Sequence, residues 1–298
     1  MNMFEVLNEG IMATFQDLGR FGYDDLGVSN TGASDELSYH LANRLLNNPP
    51  NCVTIELTIG KLKLKVLQNT RVSIAGADMR AKLNRQPVKN WSCFPVKKDD
   101  ILEFGYALNG QLAYMAVEGG FKTKKILGSS SVGKYIGSPI KKEDILSASA
   151  SYNRQKAFYS PAIIPAIGHK ELELRFVKGY QYNWFDLKNF TGLKFRVSNR
   201  YNKMGYQLIG DKITPKYDKL ISEAIAFGAI QITAAGQPII LLKDRQTIGG
   251  YPKIGSVLPM DCFKLSQCGA NTKITFREIP LKEAVKFTKD FYNKLKGI

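Results

Sequence analysis

Gly236-Gln237-Pro238-Ile239-Ile240-Leu241-Leu242-Lys243-Asp244-Arg245-Gln246-Thr247-Ile248-Gly249-Gly250-Tyr251-Pro252 joins an apolar run to a dense polar run and a pair of glycines. The apolar run from Ile239 to Leu242 is too short for a helix and predicts a strand buried on both faces. Lys243, Asp244, Arg245, Gln246 and Thr247 then supply a dense set of donors and acceptors. Gly249-Gly250 predicts a sharp backbone turn or a close approach to a ligand, and Pro252 stops any helix from following. A core strand that delivers charged side chains onto a glycine turn builds a rigid polar site. A solvated hairpin between two strands has the same composition and stands as the plain alternative.

Outward from this stretch the second half reads as further short strands. They are Glu171–Val177, Lys194–Val197, Ile230–Ile232, Ile254–Leu258 and Lys273–Arg277. In the first half Val53–Thr58, Leu62–Val66 and Arg71–Ala75 alternate with a period of two, as half-buried strands do. Strands at this spacing predict a sandwich or barrel. Two helices interrupt them. One runs from Ser34 to Leu46, with Leu37, Leu41 and Leu45 in one stripe and Ser34 or Asp35 as its cap. The other starts at Pro280, with Leu281, Val285, Phe291, Tyr292 and Leu295 as its apolar face. Tyr182–Phe190, with Trp184, Phe185 and Leu187, reads as a short helix or packed turn. Residues 147–168 are rich in Ser, Ala, Pro and Gly and read as a linker, which divides the chain into halves 1–155 and 156–298.

Composition excludes several classes. With 44% hydrophobic residues the chain of 298 residues is an ordinary globular sequence, long enough for two domains. No apolar run reaches the length of a membrane span and no signal pattern opens the chain, so a cytoplasmic location is expected. The net charge of +16 is scattered, with no basic helix and no stacking-aromatic motif, and suits a lysine-rich surface better than nucleic acid. Cys52, Cys93, Cys262 and Cys268 lack Cys-x-x-Cys spacing and predict reduced, mostly buried thiols. His40 and His169 are the only histidines, too few and too far apart for a histidine metal site or triad.

Two further motifs need weighing. Pro95-Val96-Lys97-Lys98-Asp99-Asp100-Ile101-Leu102 is echoed by Pro139-Ile140-Lys141-Lys142-Glu143-Asp144-Ile145-Leu146. Two copies make no solenoid, and the reading is one turn design used twice. Gly128-Ser129-Ser130-Ser131-Val132-Gly133-Lys134 nearly spells a phosphate loop, but Tyr135 stands where a hydroxyl for magnesium is needed and Pro139 spoils the following helix. A looser anion-binding turn of Ser129, Ser130 and Lys134 stays open.

Several segments carry a resemblance. They include Thr14-Phe15-Gln16-Asp17-Leu18-Gly19-Arg20-Phe21-Gly22, Gly32-Ala33-Ser34-Asp35, Ala116-Val117-Glu118-Gly119-Gly120, Met204-Gly205-Tyr206, Gly228-Ala229-Ile230-Gln231 and the opening stretch. In these the chain resembles the family that holds the C subunit of bacterial 5-oxoprolinase, the KipA-type proteins and allophanate hydrolase subunit 2, with its biotin-dependent carboxyltransferase relatives. The resemblance implies a mainly β (α+β) fold of two cyclophilin-like β-barrel halves with a few helices. It also implies a partner of the KipI type, which is the B subunit of 5-oxoprolinase, together with that enzyme's hydrolytic A subunit. Lys203 and Gln207 stand where the family pattern has Arg, so a point charge replaces a planar bidentate cation at the first position.

For an ATP-dependent opening of the 5-oxoproline lactam, with magnesium, the resemblance points to cations and backbone N–H groups around phosphate. Arg20, Lys203, Arg245 and Lys253 are the candidate cations, and Gly119-Gly120 and Gly249-Gly250 offer close backbone approach. Asp17, Asp244 or Glu118 would hold magnesium or accept a proton, and Gln16 lies in the same loop as Asp17. For a carboxyltransferase using biotin carried by a partner, Gly249, Gly250 and Gln246 would form an oxyanion pocket, with Tyr251 or Lys253 handling the proton. A KipA-type regulator that antagonises a kinase inhibitor is the third reading and needs no chemistry.

Overall fold

The computed structural model describes residues 1–149, 164–185, 190–216 and 221–297. The chain forms two compact units, Met1–Arg20 with Thr31–Gly168, and Phe21–Asn30 with His169–Ile298. The break expected after residue 155 and the expected packing of Leu187 lie outside the described residues. One departure concerns Phe21–Asn30, which the sequence assigns to the first half and which clusters with the second unit.

The first unit holds a seven-stranded and a five-stranded sheet. Both contribute to one core, with Phe4, Val6 and Leu64 from the larger sheet and Ile55, Val72 and Met115 from the smaller. Helix α1 (Glu36–Arg44) packs on the five-stranded sheet, so Leu112–Val117 at the sheet's centre is buried at every position. Asp35 caps α1, as read, by accepting from the Ser38 amide. The strands of this half form two sheets around one core, in keeping with the sandwich or barrel reading.

The echoed segments prove to be one turn made twice. The Lys97 amide donates to Asp100 Oδ2 at 2.7 Å, and the Lys141 amide donates to Asp144 Oδ2 at 2.7 Å. Asp99 (φ 72°) and Glu143 (φ 73°) take the left-handed conformation at the same place, and strands Ile101–Glu103 and Ile145–Ala148 follow. An Asp side chain that accepts from the backbone three residues earlier makes such a turn from local chemistry alone.

The second unit is a closed barrel. Around it run Glu171–Lys178, Lys253–Val257, Ala229–Ile232, Pro238–Leu241, Gly205–Gly210, Phe195–Asn202 and Lys273–Glu278, which returns to the first. The closing pair, Glu171–Lys178 with Lys273–Glu278, is parallel. The apolar run of the opening stretch lies between two neighbours in the barrel wall, as its buried reading requires. Leu174, Phe176, Leu208, Ile230, Ile240 and Ile254 fill the core.

Helix α2 (Pro259–Ser266) escaped the sequence reading because eight residues carry too few turns for a clear stripe. Arg175 clasps its Asp261 with Nε and Nη2 at 2.8 and 2.7 Å. Helix α3 (Leu281–Gly297) docks through Ala284 and Phe291 against Leu258, Met260 and Phe263. Leu281 and Val285 of the expected face are instead exposed. Among the described residues no helix is long and apolar enough to cross a membrane.

All four cysteines are free, and burial pushes the Cys268 thiol up to about 12 and Cys262 higher still. Such thiols are inert at neutral pH.

Candidate functional site

The candidate residues fall into separate clusters, and each is built by a different local chemistry. In the first unit Gln16, Asp17 and Arg20 leave strand Met12–Gln16 and meet the serine-rich loop. Asp17 Oδ1 accepts from Ser129 Oγ and Ser131 Oγ at 2.6 Å each and from the Gly19 amide at 2.9 Å. Its Oδ2 accepts from the Ser130 amide at 2.8 Å. The anion cradled by this loop is therefore the protein's own carboxylate, which fills the looser anion site considered for Ser129 and Ser130. Lys134 places its ammonium over the Tyr135 ring. Arg20 is 2% exposed and spends its guanidinium on Thr31 Oγ1 (2.7 Å), Ser131 O (2.6 Å) and Ile126 O (3.3 Å). Gln16 Nε2 donates to Val132 O at 2.8 Å. These contacts tie the loop of residues 126–132 to residues 16–20 and Thr31.

Glu118, Gly119 and Gly120 follow the central strand Leu112–Val117 and turn the chain into Phe121–Lys122. Both glycines have positive φ, and the Gly119 amide donates to Asn48 Oδ1 at 2.8 Å. Here the glycine pair serves the turn.

The second unit collects the rest. Lys203 sits at the hairpin tip between Phe195–Asn202 and Gly205–Gly210, and its carbonyl accepts from the Asp244 amide at 2.9 Å. Lys243, Asp244 and Arg245 are each 7% exposed, so the charged run is packed rather than solvated. Lys243 lies over the rings of Phe227 and Phe263. Arg245 donates from Nε to Ile225 O and from Nη2 to Asn30 Oδ1, both at 2.9 Å, and Ser29 Oγ donates to the Arg245 carbonyl at 2.7 Å. Burial presses its pKa down while Asp24 opposes the shift. Arg245 thus pins Phe21–Asn30 onto the barrel unit.

The glycine pair behaves differently from the sequence expectation. Ile248–Gly249 is a short strand paired with Glu223–Ala224, and neither Gly249 nor Gly250 has positive φ. A β-carbon at 249 would stand 2.6 Å from Ile225 Cδ1, 2.9 Å from Gln246 Nε2 and 3.2 Å from Gln231 Nε2, so these three side-chain ends would have to shift to admit one.

Beside Gly249 lies a charged network. Glu223, opposite Gly249, accepts from Lys253 Nζ and Gln181 Nε2 at Oε1 and from Tyr180 O–H at Oε2. Gln181 Oε1 in turn accepts from the Lys253 amide at 2.6 Å. Burial opposes the Glu223 charge, but the hydrogen bonds from Lys253 and Tyr180 win and hold its carboxyl below the usual range. Gln231 and Lys253 are placed opposite each other where the ladder between Ala229–Ile232 and Lys253–Val257 shifts register. Such an irregularity re-aims side chains at a barrel rim. Gln231 is 1% exposed, and its Nε2 has no hydrogen-bond partner among the described residues. Ile248, Tyr251 and Tyr180, neighbours in sequence of these groups, are exposed.

The structure therefore brings Gln246, Gly249 and Lys253 together, with Arg245 at the far end of the ribbon made by residues 223–225 and 245–249. Sequence reasoning missed Glu223, Gln231, Tyr180 and Gln181. Gln231 carried a readable signal, an amide inside a strand whose other members are Ala and Ile. Glu223 carried none. Among the described residues no group of three or more His, Cys, Asp or Glu converges to hold a metal ion, and Asp17 is saturated by its donors.

The carboxyltransferase domain model, covering both of its subdomains, matches residues 26–278, and the chain belongs to this family. At nearly full length it is similar to the C subunit of 5-oxoprolinase from Haemophilus influenzae, 32% identical over 95% of this chain and 94% of the relative. The corresponding 5-oxoprolinase chain of Escherichia coli is 30% identical over 97% of this chain and 95% of the relative. The crystal structure of the K. lactis urea amidolyase superposes with a TM-score of 0.91 at 25% identity, over 99% of this chain and 20% of that one.

Proposed function

We propose that the chain is a non-autonomous subunit of an ATP-dependent 5-oxoprolinase, which opens the 5-oxoproline lactam to glutamate. It would act with a KipI-type B subunit and a hydrolytic A subunit. The observation that carries this reading is the match to the C subunit of 5-oxoprolinase, which runs through nearly the whole of both chains at 32% identity. The urea amidolyase of Lachancea kluyveri, by contrast, is matched over 17% of its length.

The chemistry of the chain's own residues narrows its part. The loop nearest a phosphate cradle is filled by the protein's own Asp17 carboxylate. What the barrel rim offers is an ammonium, Lys253, held in place by Glu223. ATP would supply the activation of the lactam oxygen when bound to the complex.

A second reading, transfer of a carboxyl group from biotin carried by a partner, is favoured by the family itself and by the likeness to the urea amidolyase structure. Co-expression with the other subunits, followed by ATP hydrolysis with and without 5-oxoproline, decides between them. Turnover that depends on 5-oxoproline and is indifferent to avidin supports the oxoprolinase. Turnover blocked by avidin supports the carboxyltransferase, and none with 5-oxoproline refutes the first reading.

A further inference from the structure

We infer that Ile11, Met12, Ile59, Tyr106 and Leu108 form a docking face for a second, different protein chain, one whose contact surface is apolar at its centre and acidic at its rim. The inference rests on the reading as an oxoprolinase subunit in one respect, since that reading makes the second chain another subunit of the same complex.

The first support is contiguity. Ile11 is 54% exposed, Met12 48%, Ile59 36%, Tyr106 49% and Leu108 63%. Apolar side chains exposed singly are ordinary, but a continuous group marks a surface that another molecule covers. Continuity here is fixed by the backbone. The Ile11 amide donates to Gly60 O at 3.0 Å, the Lys61 amide to Gly105 O at 3.2 Å and the Ala107 amide to Ile59 O at 3.1 Å. A β-carbon on Gly60 would stand 2.0 Å from Gly105 O, so glycine is what lets these loops close on one another. A face held this way needs little ordering when a partner arrives.

The second support is strain. Ile59 has φ 63°, and Lys61 has φ 73°. The left-handed region crowds a β-branched side chain, and Gly or Asn takes it at lower cost. The fold therefore keeps an isoleucine that is both strained and partly in water, which folding alone does not reward. Strain of this kind is retained where the residue serves a function.

The third support is the charge at the edge. Lys61 Nζ lies 4.4 Å from the centre of the Tyr106 ring, and Arg80 Nε donates to Tyr106 O at 3.1 Å. Lys61 and Arg80 are both exposed, and Asp78 Oδ1 is engaged by the Arg80 amide at 2.8 Å. A tyrosine flanked by Arg, with Met and Ile around it, has the composition of an interface centre. The cations select the partner. A second copy would bring the same two cations on a chain of net charge +16, so a different chain with carboxylates at its rim fits better.

The test titrates the full chain with the B-type subunit and with the hydrolytic subunit in turn, binding being read by calorimetry. One of them should bind, and Leu108→Glu should weaken that binding about tenfold or more, as a charge set into an interface centre does. Leu281→Glu makes the same change on α3, at a position 66% exposed, and should leave the affinity as it was. Lys61→Glu should weaken binding and reduce its dependence on salt. Ile59→Asn should weaken binding with the melting temperature equal or higher, because Asn accepts the left-handed conformation more readily. Unchanged affinity in Leu108→Glu and Ile59→Asn overturns the face, as does equal weakening by Leu108→Glu and Leu281→Glu. Binding of neither subunit overturns it too. So does dimerisation of the wild type in sedimentation, or attachment to phosphatidylglycerol vesicles, that Leu108→Glu abolishes; these would make a second copy or a lipid surface the occupant.

Turnover of the assembled complex separates this inference from the oxoprolinase reading. Subunit binding that Leu108→Glu weakens, in a complex with no 5-oxoproline turnover, sinks the oxoprolinase reading alone. Full 5-oxoproline turnover by a complex carrying Leu108→Glu, at subunit concentrations near the wild-type Kd, sinks the face alone.

Discussion

Two buried polar clusters, one in each unit, are completed in different ways. In the first unit Asp17 and Arg20 are matched by the serine loop, while Ser130 Oγ and Gln16 Oε1 are without a partner among the described residues. In the second, Gln231 keeps a donor without an acceptor among the described residues, and Lys253 is aimed by a carboxylate toward the same rim. A network whose charged groups are met by several donors stabilises and defines a loop. What differs is the kind of group: in the first cluster the carboxylate and guanidinium are the groups that are matched, and in the second an amide donor is left over.

Mutations can break this contrast. The largest effect is expected from Asp17→Ala, which strands two hydroxyls and two backbone amides in the first unit. We expect a loss of about 4 kcal/mol in denaturant unfolding, from the cost of several unmet buried donors. A loss below about 1 kcal/mol would remove the architectural role from this cluster.

Arg245→Ala comes next. It removes the hydrogen bonds to Ile225 O and Asn30 Oδ1, and should cost about 2 kcal/mol, the range for charged hydrogen bonds. Amide hydrogen exchange should accelerate in residues 21–30 above all. Uniform acceleration across the barrel would show instead that Arg245 supports the whole unit.

Gly249→Ala sharpens the contrast from the other side. The atoms it meets are all ends of flexible side chains, so the fold should lose only about 1 kcal/mol. Both amides must move, however, and turnover of the complex should fall far more than stability. Equal turnover in Gly249→Ala would detach the glycine from the site.

The smallest effect is expected from Glu223→Gln. The folded carboxyl titrates below its usual range, so its contribution is present above the unfolded value of about 4.3 and is lost as pH falls through the lower folded value. The gap in melting temperature between wild type and variant should be small near neutral pH and should close below about pH 4. A gap that widens on acidification would contradict the sign of the shift.

Much of the fold was legible because it rests on local chemistry. The run Ile239–Leu242 reads as a wall strand, and the paired turns at Asp100 and Asp144 follow from an Asp side chain bonding three residues back. The stripe of α1 and its Asp35 cap are likewise local. The site was legible only in part. Gln246, Gly249 and Lys253 lie within one stretch, but Gln231, Glu223 and Gln181 reach them from other strands and loops. The serine loop misled for a related reason: its partner, Asp17, is over a hundred positions away.

The sequence by itself determined the mainly β character, two of the three helices, the family, and the placing of polar residues after a buried strand. Periodicity, capping and turn chemistry act over a few residues, and such signals survive in a linear text. Tertiary structure alone decided which strands pair around each core, that Gly249 lies in a paired strand rather than a bend, and which donors are left unmatched among the described residues. Those outcomes depend on pairing between distant segments, where one missing β-carbon or one register shift determines what a side chain meets.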